Sequence, residues 1–171
     1  MDDAQRRFIA AALEEHEKPL LRYATSLVGR EAACDLVQDV FLQLCRASRE
    51  EIGGHVRPWL FVVCRNRAIS QKRRRVPESD VEEADVETGV DSGPLARLEK
   101  KEAATLLMRA LDGLSERDRE VVVLKFASGL SYKEIAEVTK LTVNHVGVIL
   151  HEALKKVRTT VGQLEGSRRA S

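Results

Sequence analysis

The chain has 171 residues, with 28 basic against 27 acidic side chains and 43% hydrophobic residues. That length bounds it to one or two domains with modest cores. One Trp, two Tyr and four Phe are few aromatics for a β-sandwich, while Ala, Leu, Val, Glu and Arg abound, so an all-α fold is expected. No apolar run approaches the roughly 18 residues of a membrane span. The acidic start Met1-Asp2-Asp3 has no apolar segment behind it, so neither a secretory signal nor membrane insertion is expected, and the expected location is the cytoplasm.

In a first domain, residues 1–75, Phe8, Ala11, Ala12 and Glu15 open a helical stripe, and Leu20, Leu21, Ala24, Leu27 and Val28 repeat at helical spacing behind it. A further helix follows Gly29, from about residue 31 to 47, with Ala33, Leu36, Val37, Val40, Phe41 and Leu44 inward. Residues 48–56 read as a Gly-containing loop. Pro58 then sits as a first-turn proline on a helix that is apolar at its start and cationic at its end. Residues 76–94 read as a flexible acidic linker, because 76–93 contain no Leu, Ile or aromatic side chain with which to offset the entropy of ordering.

A second domain spans 95–161. Leu98, Ala103, Leu106, Leu107, Ala110 and Leu111 make the buried stripe of its first helix, and Ser115 caps the next, which carries Val121, Val122 and Leu124 toward Gly129. Ser131 and Glu134 form a capping box for a short helix through Val138. Thr142 is expected to cap a last helix from Val143 to about Val161, with 162–171 a flexible tail. Cys34, Cys45 and Cys64 are not spaced as metal ligands with His16, His55, His145 or His151, so no metal or cofactor is expected. All three cysteines read as reduced core residues.

The neutral total hides a segregation of charge. Residues 57–75 carry seven basic and no acidic side chains, while 76–93 carry seven acidic and no basic ones. Seven uncompensated cations on one helix repel one another unless a polyanion meets them. Arg65, Asn66, Arg67, Lys72, Arg73, Arg74 and Arg75, behind Trp59, therefore read as a strip that tracks a phosphate backbone, with Asn66 offering paired donor and acceptor groups to a base. Residues 130–154, two capped helices around a tight turn with the small Ala136 at their crossing, follow the helix-turn-helix pattern of duplex readers.

These motifs carry a family resemblance. Asp35-Leu36-Val37-Gln38-Asp39-Val40-Phe41-Leu42, then Pro58-Trp59-Leu60 leading to Arg65-Asn66-Arg67-Ala68-Ile69, and later Leu111-x-x-Leu114-Ser115 and Gly129-Leu130-Ser131-Tyr132-x-Glu134-Ile135-Ala136 stand in the order found in bacterial RNA polymerase sigma factors of the extracytoplasmic-function (ECF) type. The sequence resembles that family over nearly its whole length. The resemblance implies two helical domains, called regions 2 and 4, and a transcription initiation factor that binds core RNA polymerase, directs it to promoters and assists melting at the −10 element. It implies that Asp35, Gln38, Asp39 and Leu42 dock on the β′ clamp helices. His55, Trp59 and Asn66 would hold an unpaired base of the −10 element, while Arg65, Arg67 and Lys72 to Arg75 hold its backbone. Ser131, Tyr132, Lys133, Thr142, Asn144, His145 and Lys155 would meet the −35 element, with the β flap and an anti-sigma factor as further partners. Where the family sets basic residues along the second helix of the motif, this chain has His145, Gly147, Ile149 and Glu152, and Ser70 replaces the family's Asp after the Ala-Ile pair.

Two rival readings are a helix-turn-helix regulator that acts without polymerase and a sigma-like protein that titrates an anti-sigma factor. An enzyme is not expected, since the sequence has no Gly-rich phosphate loop, nucleophile elbow or metal cluster.

Overall fold

The computed structural model describes residues 3–74, 105 and 109–170. Arg75, the expected linker 76–94 and most of the helix expected over 95–111 lie outside them. Among the described residues the architecture is all-α: α1 (Asp3–Val28), α2 (Arg30–Arg46), α3 (Arg49–Ile52), α4 (Val56–Arg74), α5 (Glu116–Val122), a π-helical turn (Val123–Ala127), α6 (Tyr132–Thr139) and α7 (Val143–Arg169). They form two compact units. One groups residues 3–74 with 123–143, and the other groups 105 and 109–122 with 144–170.

In the first unit the two stripes read before Gly29 lie on one helix, because α1 runs unbroken through Pro19. A mid-helix proline costs about 3 kcal/mol. Against that, Ala12, His16, Leu20, Tyr23 and Ala24 lie on one continuous buried stripe packed on α2 and α4, and burial outweighs the lost bond. On α2, all six residues expected inward are buried. The expected loop 48–56 contains α3, closed by a second capping box in which Ser48 Oγ accepts from Glu51 N and Glu51 Oε2 accepts from Ser48 N. Gly53 and Gly54 follow at φ 64 and 76, a left-handed pair that turns the chain into α4. Cys64 is buried on α4, and burial pushes its thiol up to about 12. Cys34 and Cys45 are exposed, not core, because each falls outside the α2 stripe defined by Leu36, Val40 and Leu44.

Residues 123–143 pack on α1 and α4 within this unit. Leu124, Leu130, Ile135 and Val138 are buried there. The π-helical turn closes when Ser128 N donates to Val123 O at 3.0 Å, and Gly129, at φ 69, lets Leu130 N reach back to Leu124 O at 2.9 Å. His16 is 4% exposed, and burial, the largest influence, pulls its imidazole below the usual 6.5; Arg57 pulls the same way, while Glu15 and Glu134 oppose. The unfolded chain therefore binds the proton more tightly than the folded one. This stabilisation is complete above about 6.5 and is lost as pH falls below it. Urea unfolding at about pH 7.5 and about pH 5.5 should show the first unit weaker at the lower pH, with a smaller difference in His16→Gln. An unchanged difference would assign the pH dependence elsewhere.

The turn after α6 rests on Lys140, the described non-glycine residue with positive φ, at φ 62 and ψ 25. A side chain in this conformation is strained, so Lys140→Gly should raise stability by about 0.5–1 kcal/mol in a thermal or urea melt. In the second unit, Ala110, Leu114, Val121, Val122, Val146, Ile149, Leu150 and Ala153 are buried. Ser115 Oγ caps α5 at Asp118 N, 3.1 Å away, as expected. Arg119 ties α5 back to Leu111 O and Asp112, and Lys156 of α7 meets Asp118 at 3.7 Å. α7 does not stop near Val161: Gly162 and Gly166 keep helical backbone and no proline intervenes, so the expected tail is helical through Arg169.

Candidate functional site

Asp35, Gln38, Asp39 and Leu42 follow one another at i, i+3, i+4 and i+7 on α2, opposite the face that carries Leu36, Val40 and Leu44 into the core. Asp35 and Gln38 are exposed, Asp39 is half-buried and Leu42 is 54% exposed. A large apolar side chain set among carboxylates on an otherwise solvated edge is suited to a protein partner.

On α4, Pro58, Leu60, Phe61, Cys64 and Ala68 are buried. Trp59 and Arg65 are half-buried, and Asn66, Lys72, Arg73 and Arg74 are exposed. His55 is exposed at the mouth of α4, where its carbonyl accepts from Trp59 N at 3.3 Å. The cap at Ser48, the Gly53-Gly54 turn and the start of α4 thus set His55 and Trp59 at one end of the helix and the cations at the other. Binders of single-stranded nucleic acid combine aromatic side chains with a cationic track in this way.

Two arginines of the basic block depart from this picture. Arg67 is turned to α2, where Gln43 and Asp39 hold its guanidinium. Arg57, which the sequence reading passed over, donates from Nη2 to Ser128 O at 2.8 Å and to Gly129 O at 2.9 Å, and its Nη1 lies 4.0 Å from Glu134. Its Nε is buried without a partner. Arg22 reaches Ala127 O at 3.3 Å and Ser128 Oγ donates to Pro19 O at 3.4 Å, so three side chains fasten the same turn. A sequence signal for Arg57 was its place at the apolar end of α4, away from the cationic tract.

In the helix-turn-helix pattern, Ser131 is the cap of α6: its Oγ accepts from Glu134 N, and its own N donates to Glu134 Oε2 at 2.8 Å. Tyr132, exposed, lies beneath Lys125 Nζ, 5.2 Å from the ring centre. Lys133 and Thr142 are exposed in the same unit. In the second unit, Asn144, His145 and Lys155 are exposed on α7. Ile149 is buried, so that departure from the family's basic pattern is a packing residue, and the neighbouring exposed apolar side chain is Val148, 57% exposed.

A family model for sigma-70 region 2 matches residues 12–77, and one for sigma-70 region 4 matches residues 95–157. The ECF sigma factor SigL of Mycobacterium tuberculosis is 31% identical over 169 residues, which is 94% of this chain and 93% of SigL. The chain belongs to the ECF RNA polymerase sigma factors. EcfG of Rhodopseudomonas palustris is 33% identical over 92% of this sigma factor and 84% of its own length. Among solved structures, RpoE of Bartonella quintana in complex with the anti-sigma factor NepR matches with TM-score 0.68 and 26% identity, over 92% of this chain and 98% of RpoE. CnrH in complex with the cytosolic domain of CnrY matches with TM-score 0.65 and 25% identity, over 92% and 90%. The protein is thus a transcription initiation sigma factor whose domains engage RNA polymerase and promoter DNA. No helix among the described residues is long and apolar enough to cross a membrane.

Proposed function

We propose that the exposed edge of α2, with Asp35, Gln38, Asp39 and Leu42, docks on the β′ clamp helices of core polymerase. In the same reading, His55, Trp59 and Asn66 receive an unpaired base of the −10 element while Arg65, Lys72, Arg73, Arg74 and Arg75 hold the strand. The helix-turn-helix reads the −35 element from Tyr132, Lys133, Thr142, Asn144, His145 and Lys155, with the β flap as its polymerase contact. The protein acts in the cytoplasm without catalysing a reaction of its own, 76–94 serves as the linker between regions 2 and 4, and an anti-sigma factor restrains it. The observation that supports the reading most is Leu42, a half-exposed leucine at the end of a polar edge, on the helix that matches the family's core-binding motif.

Reconstitution with bacterial core polymerase and transcript selection from a random promoter library tests it. Core binding with a recovered promoter class is expected, and no core binding would overturn it. Asn66→Ala combined with Trp59→Ala should impair promoter opening and leave core association intact, because extruding a base costs a few kcal/mol that these contacts must offset. Equal loss of core association would make both residues structural.

A further inference from the structure

Arg67 lies one residue beyond Asn66, inside the block that would meet the strand, yet its guanidinium is held by α2. Nε and Nη2 donate to Gln43 Oε1 at 3.1 and 3.0 Å, and Nη1 donates to Asp39 Oδ2 at 3.3 Å. Asp39 is itself one of the four residues on the polymerase-facing edge. One guanidinium therefore joins the two surfaces that the proposed function assigns to different partners. The two ties differ in kind. Gln43 is neutral, so it fixes where the guanidinium sits without cancelling its charge, whereas Asp39 cancels the charge. The ion pair is half-exposed, at 39% and 49%, and exposed pairs of this sort are weak and readily exchanged.

We propose that Arg67 is a positioning residue that couples polymerase docking to single-strand binding. In the free chain Asp39 neutralises it. When a cationic group of the polymerase engages Asp39, that compensation passes to the partner, and Arg67, still placed by Gln43, adds one positive charge to the strip formed by Arg65, Lys72, Arg73 and Arg74. This inference rests on the proposed reading of both surfaces.

The test uses the full-length free chain and a fluorescein-labelled single-stranded DNA of mixed sequence, read by anisotropy across a salt series. Asp39→Asn imitates the docked state and should bind about three- to fivefold tighter, with a salt slope steeper by about 0.7, the increment for one more phosphate neutralised on a single strand. Asp35→Asn removes the same charge one turn earlier on α2 and should give a smaller gain. In an Arg67→Gln background the Asp39→Asn gain should disappear. Equal gains from Asp35→Asn and Asp39→Asn, a gain that persists in Arg67→Gln, or no single-strand binding by any variant would each overturn the coupling. The docking reading is judged separately by core affinity, which Leu42→Ala and Asp35→Asn should lower whatever the oligonucleotide series shows.

Discussion

Phe61→Ala is expected to destabilise the first unit by about 3–5 kcal/mol, the usual cost of emptying a buried aromatic site. Phe61 is fully buried on α4 and its ring lies 5.4 Å from that of Tyr23 on α1, tilted by 36°. The pair joins the helix that carries the cationic strip to the helix that carries His16, so the cavity opens where α1 and α4 meet. Since whole domains are stable by only about 5–15 kcal/mol, this is a large share. Trp59, the chain's one tryptophan, belongs to the same unit and is half-buried, so its emission during urea unfolding reports the transition. A loss below about 1 kcal/mol would mean that α4 is not seated as described. Asn66→Ala is the contrast: Asn66 is exposed on the same helix, and its removal should leave the midpoint unchanged.

The second large effect is local. Arg57→Ala removes two charge-assisted hydrogen bonds to Ser128 O and Gly129 O and should weaken the attachment of residues 124–139 by about 1.5–3 kcal/mol. Native-state hydrogen exchange checks it: amides of Leu130 and α6 should exchange about tenfold to a hundredfold faster, while those of Leu36 to Leu44 in α2 keep their protection. Arg57→Lys keeps the charge but not the fork and should fall between. Uniform acceleration in both regions would instead show that the arginine supports the whole unit, and no acceleration would show that the carbonyl contacts contribute nothing.

The helices, their inward faces and two of the caps were legible because each is written locally. The α2 stripe repeats every three or four residues, and Ser131 stands three before Glu134. Tertiary burial decides what local rules cannot: a proline disfavours a helix interior, yet the buried stripe from Ala12 to Ala24 carries α1 through Pro19 as one helix. The cap at Ser48 was readable from Ser48 and Glu51 but was hidden by the two glycines behind it. Cys64 is buried as expected, whereas Cys34 and Cys45 fall outside the buried phase of α2, which residue type alone does not reveal. For the site, the segregated charge marked the strip but could not show which cations face inward. Arg57 and Arg67 look like their neighbours until a second helix, distant in sequence, presents carbonyls or an amide to them.

The Arg57 contact also sets a length. With Gly129 held at α4, the chain from Gly129 through α6 to Val143 extends no more than about 40 Å, counting its helical turns at 1.5 Å per residue and the rest fully extended. While that contact holds, the start of α7 stays within that reach of α4, and the arginine that fastens the two carbonyls stands two residues from Trp59, on the helix that would meet the opened strand.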